Sequence, residues 1–446
     1  MENMDATVIA TSLPVLAHDL GQAPLTLKLA LTAYVVGLGV FIPISGWVAD
    51  RFGARTVFRS AIAVFLTGSL MCAVSSSLVD FVAARFLQGI GGAMMVPVGR
   101  IVIFRSVPRT ELVKAISFLT IPSQLGPVIG PVLGGFITTY YHWRWIFLIN
   151  VPISILGMYL ASRYIENWRS DDMQPLDLKG FVLSATGSTL LMLGLSLLDG
   201  ELLPSRLAIY MCVIGALTLY VYLRHARREP FPLLDLRLLQ IPTFRASVLG
   251  GSLFRIGLGA VPFLLPMALQ IGFGMNAFHA GTITCASAFG AIFMKAIGTS
   301  ILRRFGFRSV LIWNAVLAGL ALASYGLFTP TTPYLVMMAV VLLGGFFPSM
   351  QFTCLNTIAY ADLDRADVSR ATSLASVVQQ LSLGLGVTIA GLAVHLSNRL
   401  QGHSTIVAAD FWPAFVAIGL FSVASIPVTL RLPRDAGALL TGHKLA

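Results

Sequence analysis

Long aliphatic runs recur along the whole chain, separated by short stretches that carry charge, Gly or Pro. A run of about 18 apolar residues suffices to cross roughly 30 Å of hydrocarbon as a helix. The pattern predicts helices near residues 2–17, 27–49, 57–75, 79–103, 114–139 and 145–163, a further two near 178–198 and 206–223, and six more near 246–271, 279–298, 309–328, 334–360, 372–396 and 411–430. The first is short for a crossing. Fourteen predicted spans, an even number, put both termini on one side of the bilayer, and no large soluble domain fits between them.

Composition agrees with an all-α membrane protein. Of 446 residues 56% are hydrophobic and only 11% charged, against roughly 25% charged in soluble domains. The net charge of +11 does not imply nucleic acid, because the basic residues cluster in the segments between spans. Assigning the segment after the second span to the cytoplasm leaves only Lys28, Arg144, Arg206 and Arg399 in outer segments, with Arg85, Arg100, Arg255 and Lys295 inside spans. All other Lys and Arg fall on the inner side, as the positive-inside rule requires, so both termini are expected in the cytoplasm. Cys72, Cys212, Cys285 and Cys354 lie in apolar runs without paired spacing and indicate neither disulfides nor a zinc site. The opening Met-Glu-Asn-Met-Asp is acidic and no small-residue cleavage pattern follows, so a removed signal peptide is not expected.

The stretch Gly46-Trp47-Val48-Ala49-Asp50-Arg51-Phe52-Gly53-Ala54-Arg55 follows the second span, and Arg303-Arg304-Phe305-Gly306-Phe307-Arg308 echoes it after the tenth. If each marks the same boundary of a six-span unit, the chain divides into a bundle over 1–163, an inserted helix pair with its linkers over 164–242, and a second bundle with a short tail over 243–446. Parallel repeats of this kind build two-bundle secondary transporters.

In the fifth predicted span Gly126, Gly130 and Gly134 recur every fourth residue and form a stripe without side chains, flanked by Pro127, Pro131 and Gly135. A neighbouring helix can approach such a stripe closely. With Arg85-Phe86-Leu87-Gln88-Gly89-Ile90-Gly91-Gly92-Ala93, with Leu13-Pro14 after Asp5-Ala6-Thr7-Val8-Ile9, and with Gly46 to Arg55, these stretches occur in one order. They resemble the motifs of the major facilitator superfamily, specifically its fourteen-span branch of drug:proton antiporters. His142-Trp143-Arg144-Trp145 to Pro152 resembles the multidrug exporters of that branch. The members usually carry ten or more residues ahead of the first-helix motif, whereas Asp5 stands almost at the first residue. The resemblance implies a fold of 14 helices as 6 + 2 + 6 and export by proton antiport. It also implies a gating role for Gly46, Asp50, Arg51, Gly53 and Arg55, a coupling role for Arg85, and an antiporter motif in Gly126 to Gly135.

The titratable residues narrow the chemistry. Of nineteen acids only Asp5 falls in the interior of a predicted span, Glu2 and Asp80 standing at span ends, and charges at membrane depth usually mark ion or substrate pathways. Burial favours its protonated form and a nearby arginine the charged form. Asp5 is therefore the expected proton site. At about 1.5 Å per residue, Arg85 should lie about 8 Å from the outer surface, Asp5 about 20 Å and Arg100 about 30 Å, so straight-helix arithmetic pairs Asp5 with neither arginine. Arg255 should lie about 15 Å deep with no acid at its level, facing substrate or bonding helix carbonyls. Gln270, Gln351, Asn356, Gln379 and Gln380, with Phe263 and Phe289, are the candidates for a substrate cavity, and each could equally join helices by hydrogen bonds.

No Gly-Lys-Ser/Thr phosphate loop occurs, which excludes an ATP-driven pump of this chain alone. The seven histidines are scattered and show no ligand spacing in sequence, so a metal-dependent membrane enzyme is not expected. Transport remains, driven by the proton gradient without a cofactor. The expected partners are protons, a small-molecule substrate and the lipid of a bacterial inner membrane. Participation of a periplasmic adaptor and outer-membrane channel is left open. An importer or exporter of one specific metabolite is the alternative, ahead of an enzyme or sensor.

Overall fold

The computed structural model describes residues 2–106, 126, 129–167, 169, 175–198, 200, 202–363, 367–433 and 436–437. Among them 12 helices are long and apolar enough to cross a membrane, and there is no strand. The first and fifth expected spans are not among the twelve. Residues 114–125, 127 and 128 lie outside the described residues, so Gly126 and 129–140, the latter named α6, represent the fifth span. The first span is broken into α1 (Glu2–Val8), a 3-10 turn (Ile9–Thr11) and α2 (Leu13–Asp19). Pro14 lacks an N–H and its ring crowds the carbonyl four residues back. Thr11 Oγ1 and Ser12 Oγ donate to the Val8 carbonyl at 3.1 and 3.3 Å, so side chains occupy an acceptor beside the break.

The chain forms two compact units, residues 1–235 and 236–446. In the first, α3 (Lys28–Phe52), α4 (Ala54–Val74), α5 (Leu78–Ser106) and α6 are followed by the short α7 (Trp145–Leu148), α8 (Asn150–Tyr164), α9 (Leu178–Ser196) and α10 (Ser205–Ala226). Helix α3 is buried almost all round, between α5 and α9. The glycines of α5 allow this. The Gly89 Cα faces the Tyr34 carbonyl so closely that a Cβ would collide with it, and a Cβ on Gly37 of α3 would fall 2.7 Å from the Phe86 carbonyl. The pair α9–α10, expected as an insert, packs on α3 within this unit. Thr32 and Ser196 share a hydrogen bond of 3.2 Å, Phe41 meets Phe181 edge-on at 5.9 Å, and Leu29, Leu197 and Ala208 form one cluster. Its outer face, with Tyr210, Val213, Leu217 and Val221 exposed, is an apolar surface suited to lipid.

The glycine stripe of α6 receives α1. A Cβ on Gly130 would run into the Thr7 hydroxyl and one on Gly134 into the Val8 carbonyl, while Thr7 Oγ1 donates to the Gly126 carbonyl at 3.2 Å. Ser12 and Thr138 join hydroxyls at 2.6 Å lower on the same contact. Gly130, Pro131, Gly134 and Gly135 are all buried.

In the second unit α11 (Pro242–Arg245) passes through a π turn (Ala246–Gly250) into α12 (Gly251–Met267), followed by α13 (Ala277–Ala323), α14 (Tyr334–Ile358), α15 (Val368–Gln401), α16 (Trp412–Val423) and α17 (Ile426–Thr429). Helix α13 holds two of the expected spans, separated at Gly306 with φ +71°. In the first unit Gly53, with φ +93°, separates α3 from α4 in the same way. Positive φ of this kind favours glycine, and both glycines sit in the repeated Arg-Phe-Gly sequence.

Replacing Gly134 by Ala should therefore lower the unfolding midpoint of the solubilised protein by several degrees, as overpacking costs about 1–3 kcal/mol. Gly46→Ala, in the interior of α3 where a Cβ meets nothing within 4 Å, should not lower the midpoint, since Ala is favoured over Gly in a helix by about 0.5–1 kcal/mol. Equal midpoints for the two variants in a thermal unfolding series would show that α1 does not depend on the stripe.

Candidate functional site

The broken first helix places Asp5 in a polar knot inside the first unit. Asp5 of α1 is 2% exposed and Arg85 of α5 is fully buried, yet Arg85 Nη1 lies 2.5 Å from Asp5 Oδ2. The depth arithmetic that kept them apart is thus corrected. It assumed a straight helix along the membrane normal, whereas α1 is offset by the break at 9–12, and an arginine reaches far along its own helix. Asp5 Oδ1 also accepts from Gln88 Nε2 at 2.9 Å and from Asn150 Nδ2 at 3.1 Å. Both amides donate in addition to Ser69 Oγ of α4, at 2.7 and 3.0 Å. Gln88 Oε1 in turn accepts from Arg85 Nη1 at 2.5 Å. The guanidinium lies 4.3 Å from the centroid of the Tyr34 ring of α3, a cation–π contact. Side chains from α1, α3, α4, α5 and α8 thus converge on a single carboxylate.

Two of these contributors follow from local sequence. Gln88 is three residues after Arg85 and so shares its helix face. Asn150 opens α8 directly after the aromatic corner 142–147. That corner is fixed by Trp143, 2% exposed, which packs edge-on against Phe81 and Phe147 and donates Nε1–H to Asp19 Oδ2 at 2.7 Å. Arg144 reaches Asp19 at 3.5 Å and the Ser75 carbonyl at 3.1 Å. The end of α2 is therefore anchored to the corner from which α8 starts. Sequence reading missed Gln88, Ser69 and Asn150 as site residues, although Gln88 and Asn150 stand inside the quoted motifs.

The expected gate residues occupy the end of α3 and the start of α4. Asp50 and Arg55 are half-buried and Arg51 is exposed. Gly53 occupies the N-cap position of α4 without a capping side chain. Asn167, in the segment after α8, supplies the cap from a distance: its Oδ1 accepts from Thr56 N at 3.1 Å and from Thr56 Oγ1 at 3.3 Å. A Cβ on Gly53 would occupy the position of that amide. No motif marks Asn167 in the sequence.

In the second unit Arg255 is 1% exposed and has no carboxylate partner among the described residues. It donates to the Ser247 carbonyl, in the π turn, at 3.1 Å and to Asn356 Oδ1 at 2.9 Å, and lies 5.8 Å from the Phe352 ring centroid. Gln351 is buried, donating to the Leu311 carbonyl at 3.1 Å and accepting from Asn314 at 3.1 Å, which makes it a link between helices. Gln270, Gln379 and Gln380 are half-exposed. Phe263 is buried and Phe289 is 57% exposed.

The profile of the Major Facilitator Superfamily matches residues 1–387 and 247–442. The chain is 42% identical over 98% of its length to "Putative multidrug resistance protein MdtD" of Salmonella dublin and 38% identical over 98% to the protein of the same description in Escherichia fergusonii, covering 93% of each. Among solved structures it is similar to a D-xylose-proton symporter, at a TM-score of 0.69 with 14% identity, covering 98% of this chain and 96% of that one. A POT family transporter in complex with 5-aminolevulinic acid gives a TM-score of 0.68 with 14% identity, covering 96% and 92%.

Removing one member of a buried ion pair typically costs about 3–5 kcal/mol, more than removing both. Asp5→Asn should accordingly destabilise the solubilised protein more than the double change Asp5→Asn with Arg85→Gln, read as unfolding midpoints. A double variant less stable than the single one would mean that Asp5 does not balance Arg85. Asn167→Ala should cost about 1 kcal/mol, the usual worth of a helix N-cap.

Proposed function

The chain belongs to the Major Facilitator Superfamily and is a multi-pass membrane transporter; on that premise we propose that it exports small amphipathic molecules in exchange for protons. The observation that carries this reading is the buried Asp5–Arg85 pair and its amide shell. As a carboxylate, Asp5 neutralises Arg85 and holds α1 against α4, α5 and α8. When Asp5 takes up a proton, the guanidinium loses its counter-ion in a site closed to bulk solvent, and an arrangement that exposes it becomes favoured. A charge uncompensated at depth costs several kcal/mol, enough to move a two-state equilibrium. Substrate and proton can then alternate on one binding site, with α1 transmitting the change along the Gly126–Gly135 stripe. The curated relatives are named for multidrug resistance, which supports amphipathic drugs as the substrate class.

In the same reading the chain crosses a bacterial inner membrane fourteen times as 6 + 2 + 6, with both termini in the cytoplasm, and the two bundles alternate access. Gly46, Asp50, Arg51, Gly53 and Arg55 serve the inner gate, where Asn167 stiffens the start of α4. Arg255 favours a second reading, the export of one specific metabolite with anionic character, because a buried guanidinium held only by a carbonyl and an amide retains its charge for a ligand. Gln270, Asn356, Gln379 and Gln380 remain the polar groups from which either substrate site would be drawn.

Everted vesicles under an imposed pH gradient provide the test. The wild-type chain should accumulate a fluorescent cationic dye and release protons when substrate is added. Asp5→Asn, compared at equal inserted protein, should bind the dye but lose gradient-driven accumulation. Coupled transport unchanged in Asp5→Asn would remove Asp5 from the mechanism. Accumulation of an organic anion instead of the dye, lost in Arg255→Gln, would favour the second reading.

A further inference from the structure

The scattered histidines give no ligand set in sequence, but the fold brings one of them to two carboxylates. Asp177 precedes α9, while His225 and Glu229 lie at the end of α10, 48 and 52 residues further along. His225 Nε2 is 2.8 Å from Asp177 Oδ1 and 4.0 Å from Glu229 Oε2, and the three atoms lie within 4.8 Å of one another. We propose that Asp177, His225 and Glu229 bind a divalent transition-metal ion of the zinc class, which fastens the ends of the α9–α10 pair together.

The donor set is one imidazole nitrogen and two carboxylate oxygens, which leaves a fourth tetrahedral position for water. Ligands at about 2.0–2.2 Å from a tetrahedral ion stand about 3.3–3.6 Å apart. The distances of 2.8 and 4.0 Å around Nε2 bracket that value, and the third pair lies within 4.8 Å, so small side-chain adjustments would bring the three atoms to ligand spacing. His225 and Glu229 share one helical face, because Glu229 N still donates to the His225 carbonyl at 3.1 Å beyond the end of α10. Asp177 is already oriented: Oδ1 accepts from Gly180 N at 2.7 Å and Oδ2 from Leu233 N at 3.3 Å. Outer hydrogen bonds of this kind fix a ligand before the ion arrives. Two carboxylates and a neutral imidazole balance the charge of the ion. Of the basic residues at the end of α10, Arg224 is turned onto the Tyr220 ring at 5.2 Å and Arg227 and Arg228 are exposed. Exposure rises from 3% at the Asp177 side chain through 21% at His225 to 36% at Glu229, which leaves the site open to the aqueous phase on one side. A metal ion takes the Nε2 lone pair, so any proton on that nitrogen is released to solvent as the ion binds. The ion then joins residue 177, the end of α10 and the segment through Leu233 that leads out of the first unit.

A plain ion pair that caps α9 would use Asp177 and His225 but would not need Glu229. Glu229→Gln therefore separates the two. The full chain, solubilised and stripped with a chelator, is titrated with zinc ions alone, and bound metal is counted. Wild type should take up one tight equivalent and gain thermal stability from it. Glu229→Gln, with an unfolding midpoint equal to wild type without metal, should bind that equivalent at least about tenfold more weakly, a loss that even an outer-shell partner can cause. His225→Ala should lose it. Failure of the wild-type chain to bind zinc, or equal uptake by wild type and both variants, would overturn the proposal. This titration is independent of transport, so its result leaves the proton-coupled reading untouched.

Discussion

A carboxylate and a guanidinium without access to water set the terms for the first unit. Neither Asp5 nor Arg85 can be buried alone, because an ion taken from water into a low-dielectric interior loses several kcal/mol that only close pairing and further hydrogen bonds restore. The pair therefore demands neighbours. Gln88 and Asn150 meet the lone pairs of Asp5, Ser69 meets the amides, and Tyr34 covers the guanidinium face. The first span breaks after α1, which carries Asp5 to that level, and the stripe of α6 must be bare to let α1 lie close. The glycine stripe is thus the seat of the helix that carries the acid.

Much of this architecture could be read from residues alone. Apolar runs predicted the six long apolar helices of the second unit, and the Arg303–Arg308 segment read as lying between two of them is where the chain breaks at Gly306. Such features depend on hydropathy and on local backbone chemistry, which a linear sequence carries directly. The Asp5–Arg85 contact could not be read, because depth counted in residues assumes straight helices, and the predicted first span breaks at 9–12, just ahead of Pro14. Pro14 was visible; how far the chain turns there depends on packing against α6. Asn167 is harder still. Its value lies in the backbone N–H of Thr56, 111 residues away, and nothing about an asparagine in a polar linker announces a distant acceptor role.

The placement of α9 and α10 shows the same limit. Their hydropathy identifies them as helices, and the resemblance identifies them as an inserted pair, yet only packing joins them to α3 through Thr32, Phe41 and Leu29. Those three residues lie on a helix that is apolar on all sides, so no periodic stripe reveals which side meets α9. A helix hydrophobic all round is central by composition, and its neighbours are then chosen by small shape differences such as Gly37 and Gly89.

The two buried arginines differ in a way that assigns their roles. Arg85 faces an acid that can gain or lose a proton, whereas Arg255 faces a carbonyl and an amide that cannot. A guanidinium stays charged across the physiological range, so neither arginine is itself the proton carrier. Only the first unit contains a group whose charge can be switched beside a buried arginine, among the described residues. Under the proposed antiport, coupling to protons falls to the helix that rests on the glycine stripe. Arg255, with a fixed charge and a neutral shell, can contribute to choosing a ligand but cannot time its release.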